Sequence, residues 1–189
     1  MDAIMVTLVA VLLANADGRS GRFLSRLLAA RDDRRTVILV AIGSFAANAI
    51  VAAIAGSTAN RMIGQGIVAL LVAFALGGAA VALLWPGRLT LSDERAMGAA
   101  APLLALRMLL VQVGDRSHFL IGALAATSGA GLWAAAGGTI GWLFAALPFL
   151  AFGPDLADRR ATRLLRWASA AILLAWGIRA AMTAFGLSG

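Results

Sequence analysis

Apolar runs close to twenty residues long recur along this chain, separated by short polar breaks. Coiled into a helix that rises about 1.5 Å per residue, a run of that length crosses a hydrocarbon layer of roughly 30 Å. Lipid offers the backbone no water to bond with, so such runs satisfy their own amides as helices. A soluble domain of 189 residues could not hide a sequence that is 61% hydrophobic. The chain therefore reads as an all-α integral membrane protein. Its N-terminal run is not expected to be a cleaved leader, because Asp2 replaces the usual basic flank and no small-residue cleavage site follows.

The breaks divide the runs into six candidate transmembrane helices, at about residues 3–30, 36–56, 67–85, 102–126, 132–152 and 164–185. Pro86 and Gly87 stop the third, Pro102 is a favourable first-turn residue for the fourth, and Gly153 and Pro154 close the fifth. All sixteen basic residues are arginine, and net charge is +7. They concentrate in alternate loops: Arg31, Arg34 and Arg35 in the first, Arg88 and Arg95 in the third, Arg159, Arg160 and Arg163 in the fifth. The second loop holds Arg61 alone and the fourth, "TSGAG", holds none. Positive loops face the cytoplasm, which puts both termini outside and makes the chain a multi-pass protein of the cell's inner (plasma) membrane. Trp85, Trp133 and Trp167 fall near helix ends, where interfacial aromatics belong. Without a basic stripe carrying interleaved aromatics, nucleic acid is not an expected partner. The absence of cysteine excludes disulfides and thiolate metal sites.

The two halves resemble each other. "ADGRSGRFLSRLLAA" aligns with "VGDRSHFLIGALAAT", and each is followed by two further apolar spans, with Gly43 falling near Gly138 and Gly77 near Gly177. Three spans per half mean that the second half enters the membrane with opposite polarity. The expected architecture is six transmembrane helices in two inverted three-helix repeats, residues 1–87 and 98–189, joined by a cytoplasmic linker at 88–97. Secondary transporters share this plan, with the substrate near the midplane between the repeats.

Each half carries one polar cluster inside its first span. A charge in a bilayer costs at least about 2.5–3.5 kcal/mol on insertion scales, so an intramembrane acid is a functional candidate by default. In "VQVGDRSHF", Gln112 and Asp115 stand three apart, on one face of a continuous helix, and offer the hard oxygens that Mg²⁺, Ca²⁺ and Mn²⁺ prefer. Gly114 permits a close neighbour or a locally unwound turn, and Ser117 can add an oxygen or bond back to its own helix. In "ANADGRSGRF", Asp17 is rotated about 100° from Gly18, which matches Asp115, and joins a site with Asn15 and Ser20 only if the chain unwinds at Gly18. Alternatively Asp17 pairs with Arg19 or a neighbouring helix. Arg22 and Arg26 follow Arg19 at helical spacing and would line a cytoplasmic vestibule or snorkel, while Arg107 and Arg179 read as interfacial and Glu94 as a helix-start residue.

These motifs resemble those of the GDT family of calcium/manganese cation–proton antiporters, which includes the Golgi manganese transporters. That family has two inverted halves, each marked by Glu-x-Gly-Asp-(Lys/Arg)-(Thr/Ser). "QVGDRS" keeps Gly114, Asp115, Arg116 and Ser117, with Gln112 in place of the glutamate. "NADGRS" keeps Arg19 and Ser20, has Asn15 at the glutamate position, and reverses Gly-Asp to Asp17-Gly18. The resemblance covers nearly the whole chain and implies a metal site at Asp115, Gln112, Asp17, Asn15, Ser117 and Ser20. Four family acids have become two, and no glutamate remains to exchange protons, which leaves His118 as the candidate for proton coupling.

The expected function is secondary transport, with Mn²⁺ or Ca²⁺ exported against protons. The metal is cargo, and no resident cofactor is expected. The alternatives are an exporter of another small solute on the same architecture and a non-transporting, degenerate homologue kept for assembly or regulation. One histidine, no cysteine and no serine–base pairing leave an enzyme with little to work with. The expected partners are the lipid bilayer and the metal ion, with a homo-oligomer left open.

Overall fold

The structure is a computed structural model that describes residues 2–85 and 100–187. The expected linker at 88–97, its Arg88, Glu94 and Arg95, and the stop at Pro86 and Gly87 lie outside the described residues. Those residues contain no strand. In chain order the helices are α1 (Asp2–Ala14), α2 (Arg19–Ala29), α3 (Arg34–Met62), α4 (Gln65–Leu84), α5 (Ala101–Gln112), α6 (Arg116–Ser128), α7 (Gly131–Phe152) and α8 (Arg160–Ala184), with a 3₁₀ turn, Pro154–Asp158, before α8.

Four helices, α3, α4, α7 and α8, are long and apolar enough to cross a membrane. They correspond to the second, third, fifth and sixth expected spans. The first and fourth expected spans are each broken in two, at the places where Gly18 and Gly114 allow the chain to unwind. α1 and α2 meet at a 74° bend and make at most one bent span. At 13 residues α1 reaches only about 20 Å. α2 is amphipathic: Gly21, Leu24 and Leu27 are buried on one side while Arg19 and Arg26 stay exposed. α5 and α6 are likewise too short to cross alone.

Small residues set the helix crossings, as they do where lipid leaves no hydrophobic drive between helices. A side-chain carbon on Gly137 or Gly141 of α7 would run into the α1 backbone at Ile4 and Leu8. One on Gly56 of α3 would collide with the Gly122 carbonyl of α6. On the far side, Gly177 of α8 packs against Ala73 and Gly77 of α4, with the amide of Gly77 3.3 Å from where a Cβ would stand.

Two buried clusters result. One gathers α3 (Phe45, Ala49), α7 (Trp142) and α5 (Leu104); the other gathers α4 (Leu76, Leu83) and α8 (Leu173). α6 is shared between them, giving Ile121 and Ala125 to the first and Leu120, Ala123 and Leu124 to the second. α1 is shared in the same way through Val11 and through Ala10 and Ala14. The periphery is apolar, with Leu39, Phe74, Leu132, Phe152 and Leu164 exposed. That outer surface suits hydrocarbon. Between α2 and α3 the chain is held by Arg31, whose guanidinium binds Asp33 at 2.7 Å and keeps that carboxyl below its ordinary range.

Candidate functional site at two helix breaks

Both breaks are built from the residues that the sequence marked. At the end of α1, Asn15 turns its side chain back to donate to the Val11 carbonyl at 2.8 Å. Asparagine offers the backbone this local alternative to helix, and it ends the helix here. Gly18 then adopts φ 67°, a left-handed conformation that glycine takes without steric cost, and α2 starts in a new direction. At the second break α5 ends at Gln112, Val113 is extended, Gly114 takes φ 86°, and Asp115 precedes α6. Gln112 and Asp115 therefore do not share a helix face. The helix that would have aligned them stops between them, because Gly114 is left-handed and cannot continue it.

The breaks meet. Asn15 Nδ2 donates to Ser117 Oγ at 2.9 Å, and Ser20 Oγ donates to Asn15 Oδ1 at 3.3 Å. A nitrogen of the Arg116 guanidinium stands 2.6 Å from Asp17 Oδ2, with the two side chains only 14% and 9% exposed. The Arg19 amide at the start of α2 donates to Asp17 Oδ1 at 3.2 Å, so the carboxylate also sits where a helix macrodipole favours negative charge. Of the two partners proposed for Asp17, the neighbouring helix is the one found. At this burial the pair is not a surface ornament worth a few tenths of a kcal/mol. Removing one member of such a pair leaves an uncompensated charge, at a cost of about 3–5 kcal/mol.

The remaining residues divide. Gln112 Oε1 is buried without a hydrogen-bond partner. Asp115 is partly buried and makes no side-chain cap to α6. The Gln112 oxygen is thus free to accept, while the Asp115 carboxylate lies within electrostatic reach of His118. His118 lies in the same helix but turns into the core. Its Nε2 is 3.3 Å from the Phe45 carbonyl, and its ring lies 4.5 Å from that of Phe45, which in turn stacks on Trp142 at 4.6 Å. Its Nδ1 is buried and unpartnered.

Three features were not read from the sequence. Arg116 was seen as part of a motif but not as the partner of Asp17. Asn48, a lone amide in an apolar span, donates to the Leu109 carbonyl at 3.0 Å and ties α3 to α5; its polarity inside a span was the available signal. A cavity of about 400 Å³ opens beside the first break, lined by Asp17, Asp158, Thr162, Arg163, Arg166 and Trp167. It lies at the end of the molecule that carries the arginine-rich loop before α8. Arg166 Nε is buried there without a hydrogen-bond partner.

Chemically, the junction gathers neutral oxygens, one ion-paired carboxylate and a second carboxylate around two helix C-termini and two helix N-termini. Such broken-helix ends supply dipoles of both signs to a small charged solute. No group of three or more His, Asp or Glu side chains poised to hold a metal occurs among the described residues. Compared with protein-family models, curated proteins and solved structures, the chain matches none.

Proposed function

We propose that the chain is a multi-pass secondary transporter that exports a divalent cation, Mn²⁺ or Ca²⁺, through the junction of its two helix breaks. The supporting observation is the direct contact between those breaks: residues 102 positions apart, Asn15 and Ser117, share a buried hydrogen bond. Irregular backbone is tolerated at membrane depth where protein buries it or it lines a cavity, and the first break is so enclosed, with Asn15 and Gly18 buried, whereas Val113 and Gly114 of the second are exposed. The order of a broken helix followed by two long ones occurs twice along the chain, which supports two inverted three-helix repeats. The motif likeness to the calcium/manganese antiporters names the cargo, and in that family the exchange is with protons.

Asp115 carries the reading. It keeps the motif context and its carboxylate is not committed to a cap, so Asp115→Asn should abolish export. Gln112→Glu, which restores the family's carboxylate, should preserve or strengthen it. Cellular manganese after a metal challenge, with expression checked in parallel, measures both. Full export by a well-expressed Asp115→Asn protein would remove the cation site.

A second cargo has one observation in its favour. The cavity beside Asp17 carries Arg163 and Arg166 as well as Asp158. That mixture of signs suits a small zwitterion better than a bare divalent ion. Competition of candidate amino carboxylates against manganese flux in proteoliposomes separates the two.

A further inference from the structure

We propose that the cavity beside the first break is a headgroup site for an anionic phospholipid, whose phosphodiester is held by Arg163 and Arg166. The site is independent of what the chain transports. The charges around the cavity carry the proposal. Asp17 and Asp158 line it together with the two arginines. Asp17 is already met by Arg116 at 2.6 Å. Three arginines then stand against two carboxylates, a surplus of one positive charge. A zwitterion would leave that surplus in place, and a single phosphodiester cancels it. The side chains of Arg163, Arg166 and Asp158 have no ion-pair or hydrogen-bond partner among the described residues. Arg166 heads the buried stripe Ala170, Leu173 and Gly177 along which α8 packs inward, and its Nε is buried. A charge so enclosed is costly until a group of opposite sign bonds to it.

The surroundings point to a lipid as the source of that phosphate. Guanidinium groups match phosphate oxygens in geometry as well as in sign, and basic pockets between membrane helices hold lipid headgroups. Trp167 forms part of the cavity wall and is 54% exposed, as an aromatic at headgroup level would be. Leu174 and Ile178 follow Arg163 and Trp167 at helical spacing on one face of α8, and both are exposed. A polar cavity and an apolar strip for an acyl chain therefore lie end to end on one helix. Soluble phosphate would use the arginines and leave the strip bare.

The test uses the full chain in a neutral detergent, titrated with short-chain phosphatidylglycerol, with phosphatidylcholine of the same chain length, and with inorganic phosphate. Native mass spectrometry counts the bound molecules, and thermal unfolding measures the stabilisation that binding confers. The wild-type chain should bind one phosphatidylglycerol in preference to phosphatidylcholine, and inorganic phosphate at the same concentration should not displace it. Arg166→Gln should weaken phosphatidylglycerol binding about fivefold, and Arg163→Gln combined with it should abolish the preference. Arg35→Gln removes the same charge from an exposed position at the start of α3 and should change neither result. Equal affinity for the two lipids overturns the proposal, as does a preference that survives the double variant. A loss in Arg35→Gln equal to that in Arg166→Gln also overturns it, since general attraction between basic loops and anionic lipid would then suffice. Binding of inorganic phosphate alone, or displacement of the lipid by a free amino carboxylate, would assign the cavity to a soluble ligand and overturn it too. Neither arginine leaves a bonded partner stranded, so the variants should fold; if Arg166→Gln does not, Arg163→Gln, at an exposed position, decides.

Discussion

Gly18 answers to two constraints at once, and each is independent of any cargo. Its φ of 67° is left-handed, and the space where a Cβ would stand is filled by the ring of Phe149 from α7. Gly18→Ala should therefore cost at least the 1–2 kcal/mol of a left-handed non-glycine residue, plus the displacement of Phe149. Thermal unfolding in detergent measures it, and an unshifted midpoint would contradict the geometry. The ion pair makes a second prediction at this scale. Asp17→Asn leaves a buried guanidinium alone and should destabilise by about 3–5 kcal/mol, whereas Asp17→Asn with Arg116→Gln replaces both charges and should recover most of that loss. Much of the junction was legible from residues. Asn15, Asp17, Ser20 and Ser117 stood out as polar groups in apolar spans, and Gly18 and Gly114 as the places where a helix could open. That Asp17 pairs with Arg116 was not legible, because a local pattern carries no information about which distant side chain lies opposite.

At the scale of elements, the four unbroken spans follow from their runs of apolar residues, but the two broken ones do not. Periodicity registers which face of a helix is apolar; it does not register that the backbone turns through 74° between two well-patterned pieces. A signal did exist in α2. Arg19, Arg22 and Arg26 lie at helical spacing opposite Gly21, Leu24 and Leu27, the pattern of a helix lying along an interface, not continuing a span. The α1–α7 crossing is decided by the pair Gly137 and Gly141, four residues apart on one face of α7. Gly137→Leu should push α1 off α7 and lower the yield of monodisperse protein in detergent. Gly64→Leu, where a Cβ meets open space, serves as the control.

For the whole molecule, orientation is testable without background, because the chain has no cysteine of its own. Single cysteines at Asp32 and Asp155 should both react with an impermeant thiol reagent from the cytoplasmic side, and one at Gly64 from the opposite side; labelling of Asp32 and Asp155 from opposite faces would reject the arrangement of arginine loops. A cysteine at Asp2 decides whether the bent pair crosses: reactivity from the same side as Asp32 makes it a re-entrant hairpin. The four long apolar spans were readable in advance, but the placement of α1 and α6 at the centre, each shared between two cores, depends on contacts distant in sequence. That sharing has a consequence for synthesis. α1 finds its partners only when α6 and α7 emerge, and at about 5–20 residues per second the 102 positions between Asn15 and Ser117 take about 5–20 s to translate. Through that interval Asn15 and Asp17 wait in or beside the bilayer without the serine and arginine that will satisfy them. The nascent first helix therefore has to be sheltered by the insertion machinery, or left loosely seated at the lipid surface, until the second half of the chain arrives to claim it.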